Sequence, residues 1–223
     1  LKEVQAQRAT LVREIHHRIK NHLQGIINLL RNHIREKPEL TDALESAIGQ
    51  VESIALVHGL QSQLNHSRIE LVALLEVICK AISHLTSAGI QPVIDCPAMA
   101  VIVRPADAIP LALIINELLQ NAVKHGAPAE ASAAVQVRLM LEKGQVIVQV
   151  SNAAALPLPA HFSLQQGVGL GTGLTLARDL LPHQGAELSL MSVAGRVDAR
   201  LVLECPVVEL EARPADQEFS VPN

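Results

Sequence analysis

Leu11-Val-Arg-Glu-Ile-His-His-Arg-Ile-Lys-Asn-His-Leu-Gln-Gly-Ile-Ile-Asn-Leu-Leu-Arg-Asn-His-Ile34 decides the fold of the amino-terminal part of the chain. Leu11, Ile15, Ile19, Leu23, Ile26, Leu30 and Ile34 recur at spacings of four and three, the stripe of an amphipathic helix. The pattern predicts a helix from about Leu1 to Glu36, stopped by Pro38, which cannot continue the hydrogen-bond ladder. A second helical pattern follows from about Leu40 to Leu64, through Leu44, Ala47, Ile48, Val51, Ile54, Ala55, Val57 and His58. Two long helices across a short Pro-containing turn form an antiparallel hairpin. One hairpin has a single partner face and leaves part of its stripe open. Two hairpins in a four-helix bundle bury it, so a homodimer is expected.

Polar Asn65-His-Ser-Arg68 marks a boundary, which gives a helical hairpin over 1–66 and a second domain over 67–208. In that second part Leu71–Leu85 reads as a helix and Gly89–Asp95 as a short strand, and Pro105 opens another helix. Val135, Val137, Leu139 and Leu141 alternate with polar residues, as do Val146, Val148 and Val150 after Lys143-Gly144: a β-hairpin. A Gly-rich loop leads into a helix ending near Leu181. Leu188 and Leu190, then Val197, Ala199, Leu201 and Leu203, form a second hairpin across Ala194-Gly-Arg196. The class is α+β, a mixed sheet with helices on one face. The polar, Pro-containing stretch 209–223 reads as a disordered tail.

Composition excludes several functions. The apolar content is aliphatic, with two Phe and no Trp or Tyr, so base stacking is not the main activity. A net charge of −4 with scattered Lys and Arg supplies no basic footprint for nucleic acid. Cys79, Cys96 and Cys205 are odd in number and far apart, and read as reduced, buried thiols. No run approaches the ~20 apolar residues of a membrane span. The chain opens directly on a helical pattern and reads as the cytosolic portion of something longer, a cytoplasmic protein or the cytoplasmic part of a membrane-tethered one.

His16 and His17 are adjacent, so geometry separates them. At ~100° per residue the stripe centres ~60° round from Ile15, which puts His16 ~40° from that centre and His17 ~140° away, facing solvent. Adjacent side chains diverge on a helix, so the pair is not read as a metal site. The same placement also suits ordinary surface and boundary histidines.

On Asn116-Glu-Leu-Leu-Gln-Asn-Ala-Val-Lys-His125, Gln120, Asn121 and Lys124 fall within ~60° of Glu117, with His125 at the edge. Leu118, Leu119, Ala122 and Val123 turn toward a core. A carboxylate, amides, an ammonium and an imidazole on one face suit a hydrated divalent cation and phosphates. A plain solvated helix face has the same spacing. Gly167-Val-Gly-Leu-Gly-Thr-Gly-Leu174 then runs into a helical pattern, an arrangement that lets backbone approach a phosphate at a helix amino terminus.

The three motifs in this order resemble the sensor histidine kinases, in the branch whose H-box reads His-Arg-x-Lys-Asn, here His17-Arg-Ile-Lys-Asn21. The second half resembles the ATP-binding fold, an α/β sandwich, shared by histidine kinases, gyrase-type ATPases, Hsp90 and MutL. The resemblance implies that His17 accepts the γ-phosphate of ATP and passes it to an Asp of a response regulator docked on the hairpin. It implies an N-box over Asn116 to Asn121, with Asn121 on Mg²⁺, Glu117 catalytic, and Lys124 and His125 on phosphates. Gly167, Gly169, Gly171, Thr172, Gly173 and Leu174 would complete the nucleotide site, with Phe162 in the lid. Glu14 is the candidate to polarise His17, because Arg18 stands where an acidic residue often follows the histidine.

One segment departs from the family pattern. The adenine-binding segment usually reads Asp-x-Gly-x-Gly after a strand, and here it is Ser151-Asn-Ala-Ala-Ala-Leu-Pro157. Asn152 stands at the Asp position and would accept from adenine without charge, a weaker contact. Two rivals remain: a phosphotransfer or scaffold protein with a decayed nucleotide site, and an ATPase of the gyrase or MutL sort, which leaves the H-box unexplained.

Overall fold

The computed structural model describes residues 2–63, 68–86, 90, 92–96, 98–126, 135–153, 158, 162–193 and 195–213. Helix α1 spans Lys2–Glu36 and α2 spans Thr41–Gln63, joined by a 3₁₀ turn at Pro38–Leu40. Lys37 N bonds His33 O at 2.8 Å before Pro38, lacking an N–H, ends the ladder. The helices run antiparallel and meet through buried Ile27 and through Arg31, which pairs with Glu52 at 2.9 Å. Leu11, Ile15, Ile26 and Leu29 stay exposed on α1, so one copy leaves much of the stripe open.

The remaining elements are β1 (Ile69–Glu70), α3 (Leu71–Thr86), β2 (Pro92–Ile94), β3 (Met99–Val103), a 3₁₀ turn (Pro105–Asp107) and α4 (Ala108–Lys124). They are followed by β4 (Val135–Glu142), β5 (Gln145–Ala153), α5 (Thr172–Asp179), β6 (Ala186–Val193), β7 (Arg196–Leu203) and β8 (Val208–Ala212). The main sheet has the order β2-β4-β5-β7-β6, with only β2 and β4 parallel. Lys143 and Gly144 both take positive φ, which matches the twist of a two-residue hairpin between β4 and β5. Val137, Leu139, Val146, Val148, Leu201 and Leu203 point to one face, where α3 and α4 cover them with Leu74, Leu75, Leu111 and Ile115. This is the α+β mixed sheet expected.

A second, three-stranded sheet has the order β1-β3-β8. It corrects the expectation of a disordered tail from Glu209. Val208 is buried and Leu210 packs against the core while Glu209 and Glu211 face outward, a period of two within an acidic segment. Arg213 pairs with Glu70, and Arg68 with Glu211, fastening both edges of this sheet. Residues 214–223, and the expected boundary at 65–67, lie outside the described residues. Cys79 and Cys96 are buried, and burial pushes the Cys79 thiol up to about 12. Cys205 is exposed in the turn before β8, so the expectation of three buried thiols holds for two.

Candidate functional site

On α1, His17 is exposed and touches its own helix: its Nδ1 lies 3.4 Å from Asn21 Nδ2, one turn on. His16 turns inward. Its Nδ1 is 2.9 Å from His58 Nδ1 on α2, with ring centroids 5.1 Å apart. Two imidazoles at that separation share one proton, one nitrogen donating and the other accepting. Burial first, then the neighbouring His16, holds the His58 ring below its usual range. Glu14, the candidate for polarising His17, is bound by Arg18 at 2.7 Å. That contact lowers the Glu14 carboxyl more than His17 does.

The polar face of α4 is more enclosed than the wheel implied. Asn116 and Glu117 are 4% and 3% exposed, whereas Lys124 and His125, in the last turn, face solvent. Glu117 Oε1 accepts from Gln50 Nε2 of α2 at 2.9 Å. Its Oε2 lies against Gly173 at the start of α5, where a β-carbon would collide with it and stand 3.7 Å from Asn121 Nδ2. Burial raises the Glu117 carboxyl, and the Gln50 bond opposes part of that rise. The side-chain nitrogens of Asn116 and Asn121 are buried without a hydrogen-bond partner. Such orphaned amides mark a place built for something further.

The glycine-rich stretch forms a tight turn, with Ser163 and Val168 exchanging backbone bonds of 3.0 Å and Gly167 and Gly169 at positive φ. Gly171 is the N-cap of α5 and no side chain caps the helix, so the first N–H groups, from Thr172 onward, are open to an anion. Leu174 packs inward against the core. Asn152, near the end of β5, is buried, and its Nδ2 donates to Ala153 O at 3.3 Å. Phe162 is half-buried. Residues 154–157 and 159–161 lie outside the described residues, and with them part of the lid expected over about Pro157 to Gln166.

The structure therefore brings Glu117, Asn121 and Gly173 to one point and leaves Lys124 and His125 at an exposed end. Hard oxygen donors on Glu117 and on the Asn121 amide, beside a glycine cradle and an uncapped helix, fit Mg²⁺ with a phosphorylated nucleotide. Sequence reasoning missed Gln50. Nothing in the sequence singles it out, since α2 carries other small residues at Ala43, Ser46, Ala47, Ala55, Gly59 and Ser62 besides Gly49 and Ser53.

A family model described as histidine kinase matches residues 14–86. The sensor histidine kinase PdtaS of Mycobacterium tuberculosis is 33% identical over 204 residues, 88% of this chain and 39% of that protein. Blue-light-activated histidine kinase 2 of Erythrobacter litoralis is 25% identical over 210 residues, 92% of this chain and 59% of that one. The chain thus spans less than two thirds of the length of these relatives. Among solved structures, the histidine kinase domain of the Erythrobacter litoralis EL346 blue-light-activated kinase superposes with a TM-score of 0.62 at 23% identity. That match covers 90% of this chain and 94% of that domain.

Proposed function

This chain is a sensor histidine kinase catalytic core, and on that premise we propose that it transfers the γ-phosphoryl group of ATP to His17 and then to an Asp of a response regulator. The observation that carries the reading is the meeting of Glu117, Asn121 and Gly173. These residues come from two motifs far apart in sequence, and they converge so closely that a side chain at position 173 would have to displace the Glu117 carboxylate. Asn121 would hold Mg²⁺ through its amide oxygen. Asn116, Lys124, His125 and Asn152 would hold the nucleotide, together with Gly167, Gly169, Gly171, Thr172, Gly173 and Leu174. Bound Mg²⁺·ATP supplies the phosphoryl donor and offsets its charge.

His17 attacks through Nε2, the ring nitrogen left free by Asn21. With the Asn21 amide turned over, its oxygen accepts from Nδ1–H and leaves the lone pair on Nε2. Buried Glu117 orients the attacking group or takes its proton, and the burial that raises its carboxyl makes it a stronger proton acceptor than an exposed one. Most of the acceleration comes from positioning and charge neutralisation. The exposed Leu11, Ile15, Ile26 and Leu29 lie ~120–180° round α1 from His17. A second hairpin seated on them gives the homodimer and leaves His17 open to the receiver domain. We place the hairpin domain at 1–66 and the ATP-binding domain from 67 through β8, which carries it past the expected end at 208 to Ala212. No described helix is long and apolar enough to cross a membrane.

Incubation with γ-labelled ATP tests the reading. Acid-labile label is expected on the parent and none on His17→Gln or Asn121→Ala; label persisting on His17→Gln would overturn the acceptor. The phosphotransfer or scaffold alternative rests on Asn152-Ala-Ala-Ala155, which lacks the Asp and both glycines of the adenine-binding segment; the Asn152 bond to Ala153 O uses Nδ2 alone and does not occupy the oxygen that would accept from adenine. A flat calorimetric titration with Mg²⁺·ATP on the folded parent would decide for it.

A further inference from the structure

The polar face of α4 is covered by α2, and the cover is specific. Gly49 sits so close that a β-carbon there would collide with the Gln120 amide nitrogen and lie 3.4 Å from Asn116 Nδ2. One turn on, Ser53 is buried and returns its hydroxyl to Gly49 O at 2.9 Å, so it makes no polar demand on α4. Between them Gln50 reaches out and donates to Glu117 Oε1. A glycine, an inward-satisfied serine and one amide thus form a socket shaped for the face that carries Asn116, Glu117 and Gln120. The socket lies ~12 Å along α2 from His58. His58 in turn faces His16, the neighbour of His17. The α4 face is therefore held well down the hairpin from the exposed imidazole.

We propose that α2 is an intramolecular latch: Gly49 and Gln50 hold Glu117 and its neighbours closed against the hairpin, away from the level of His17, and ATP must break this contact to assemble the transfer geometry. The inference rests on the histidine kinase reading of the same site. The Gln50 amide occupies Glu117 Oε1, an acceptor that Glu117 cannot offer at the same time to an incoming group. Opening the latch frees the carboxylate and exposes the orphaned Asn116 amide. Nucleotide binding and latch opening then draw on one equilibrium, and whatever weakens the latch raises apparent nucleotide affinity.

The test uses the full chain, titrated calorimetrically with Mg²⁺·ATP and assayed for initial labelling rate. Gln50→Ala removes the donor at a half-buried helix position where Ala favours the helix, so the fold is retained. Affinity and labelling rate are both expected to rise about ten- to a hundredfold, as loss of one hydrogen bond to a charged group predicts. Gly49→Ala wedges the same contact from a different atom and is expected to move both readouts the same way. A parent that binds and labels, with neither variant changed or with both weakened, overturns the latch and leaves the kinase reading intact. A parent and Gln50→Ala that both bind no ATP overturn the two together. Binding that appears only in Gln50→Ala supports both.

Discussion

His17 on α1 and Glu117 on α4 are both polar residues on amphipathic helices, and the structure treats them in opposite ways. His17 is exposed and is met by Asn21 of its own helix, whereas Glu117 is 3% exposed and is met by Gln50 from α2 and Gly173 from α5. An imidazole that must be reached from outside needs little beyond a helix to point it. A carboxylate that is to act on charge needs a dry, prearranged surrounding, and several elements must converge to make one.

The strongest way to break this contrast is to crowd the convergence. Gly173→Val should reduce Mg²⁺·ATP affinity by about 100-fold or more, since the new side chain meets both Glu117 and Asn121. Gly25→Ala, on α1 where nothing lies within 4 Å, should stay within about threefold of the parent. Calorimetry on both variants reads the difference directly, and equal losses would show that the close approach at 173 is irrelevant.

Glu117→Gln separates chemistry from stability. Labelling should fall by about 100-fold. Burial raises the folded-state carboxyl above its unfolded value, so the folded state holds its proton more tightly. The stability tied to that proton is present at low pH and is lost as pH rises through the folded value. The Gln variant escapes this loss. Its Tm should exceed that of the parent at pH 8, with the gain vanishing near pH 4. A lower Tm at pH 8 would mean that the carboxylate is held there by more than Gln50.

Leu29→Glu acts on the other region, on the apolar side of α1 away from His17. It should weaken dimerisation by on the order of 100-fold, seen by analytical ultracentrifugation, with helix content unchanged. A variant that dimerises like the parent would place the interface elsewhere. The smallest effect concerns His58, which is held below its usual range in the folded state. Unfolded chains then bind the proton more readily, so stability falls as pH drops below about 6.5. His58→Gln should flatten that part of the Tm profile between pH 8 and pH 5.5.

The same contrast explains what was legible in the sequence. The helix wheel alone turned His16 inward and His17 outward, and His16 does meet His58, because one stripe on one helix determines both directions. The two hairpins of the main sheet were readable from alternation and from Lys143-Gly144. Strand β8 was not, because Val208 and Leu210 are only two apolar side chains among acidic ones, and their value depends on β3 lying alongside. The burial of Asn116 and Glu117 was hidden for a related reason. It follows from Gly49 being small enough to admit α4, which no periodicity on α4 reports. Local pattern reveals what one element decides; what three elements decide together needs their packing.

Strand β8 has a further meaning for how the molecule comes into being. Its partner β3 is made long before it, with Val103 waiting for Val208 and Met99 for Ala212. A nascent chain emerging from the ribosome can therefore zip up α1 with α2 early, while the sheet edge beside β3 stands unpaired until Val208–Ala212 has been made, about a hundred residues later. During that interval the growing polypeptide is most exposed to aggregation and most in need of a chaperone.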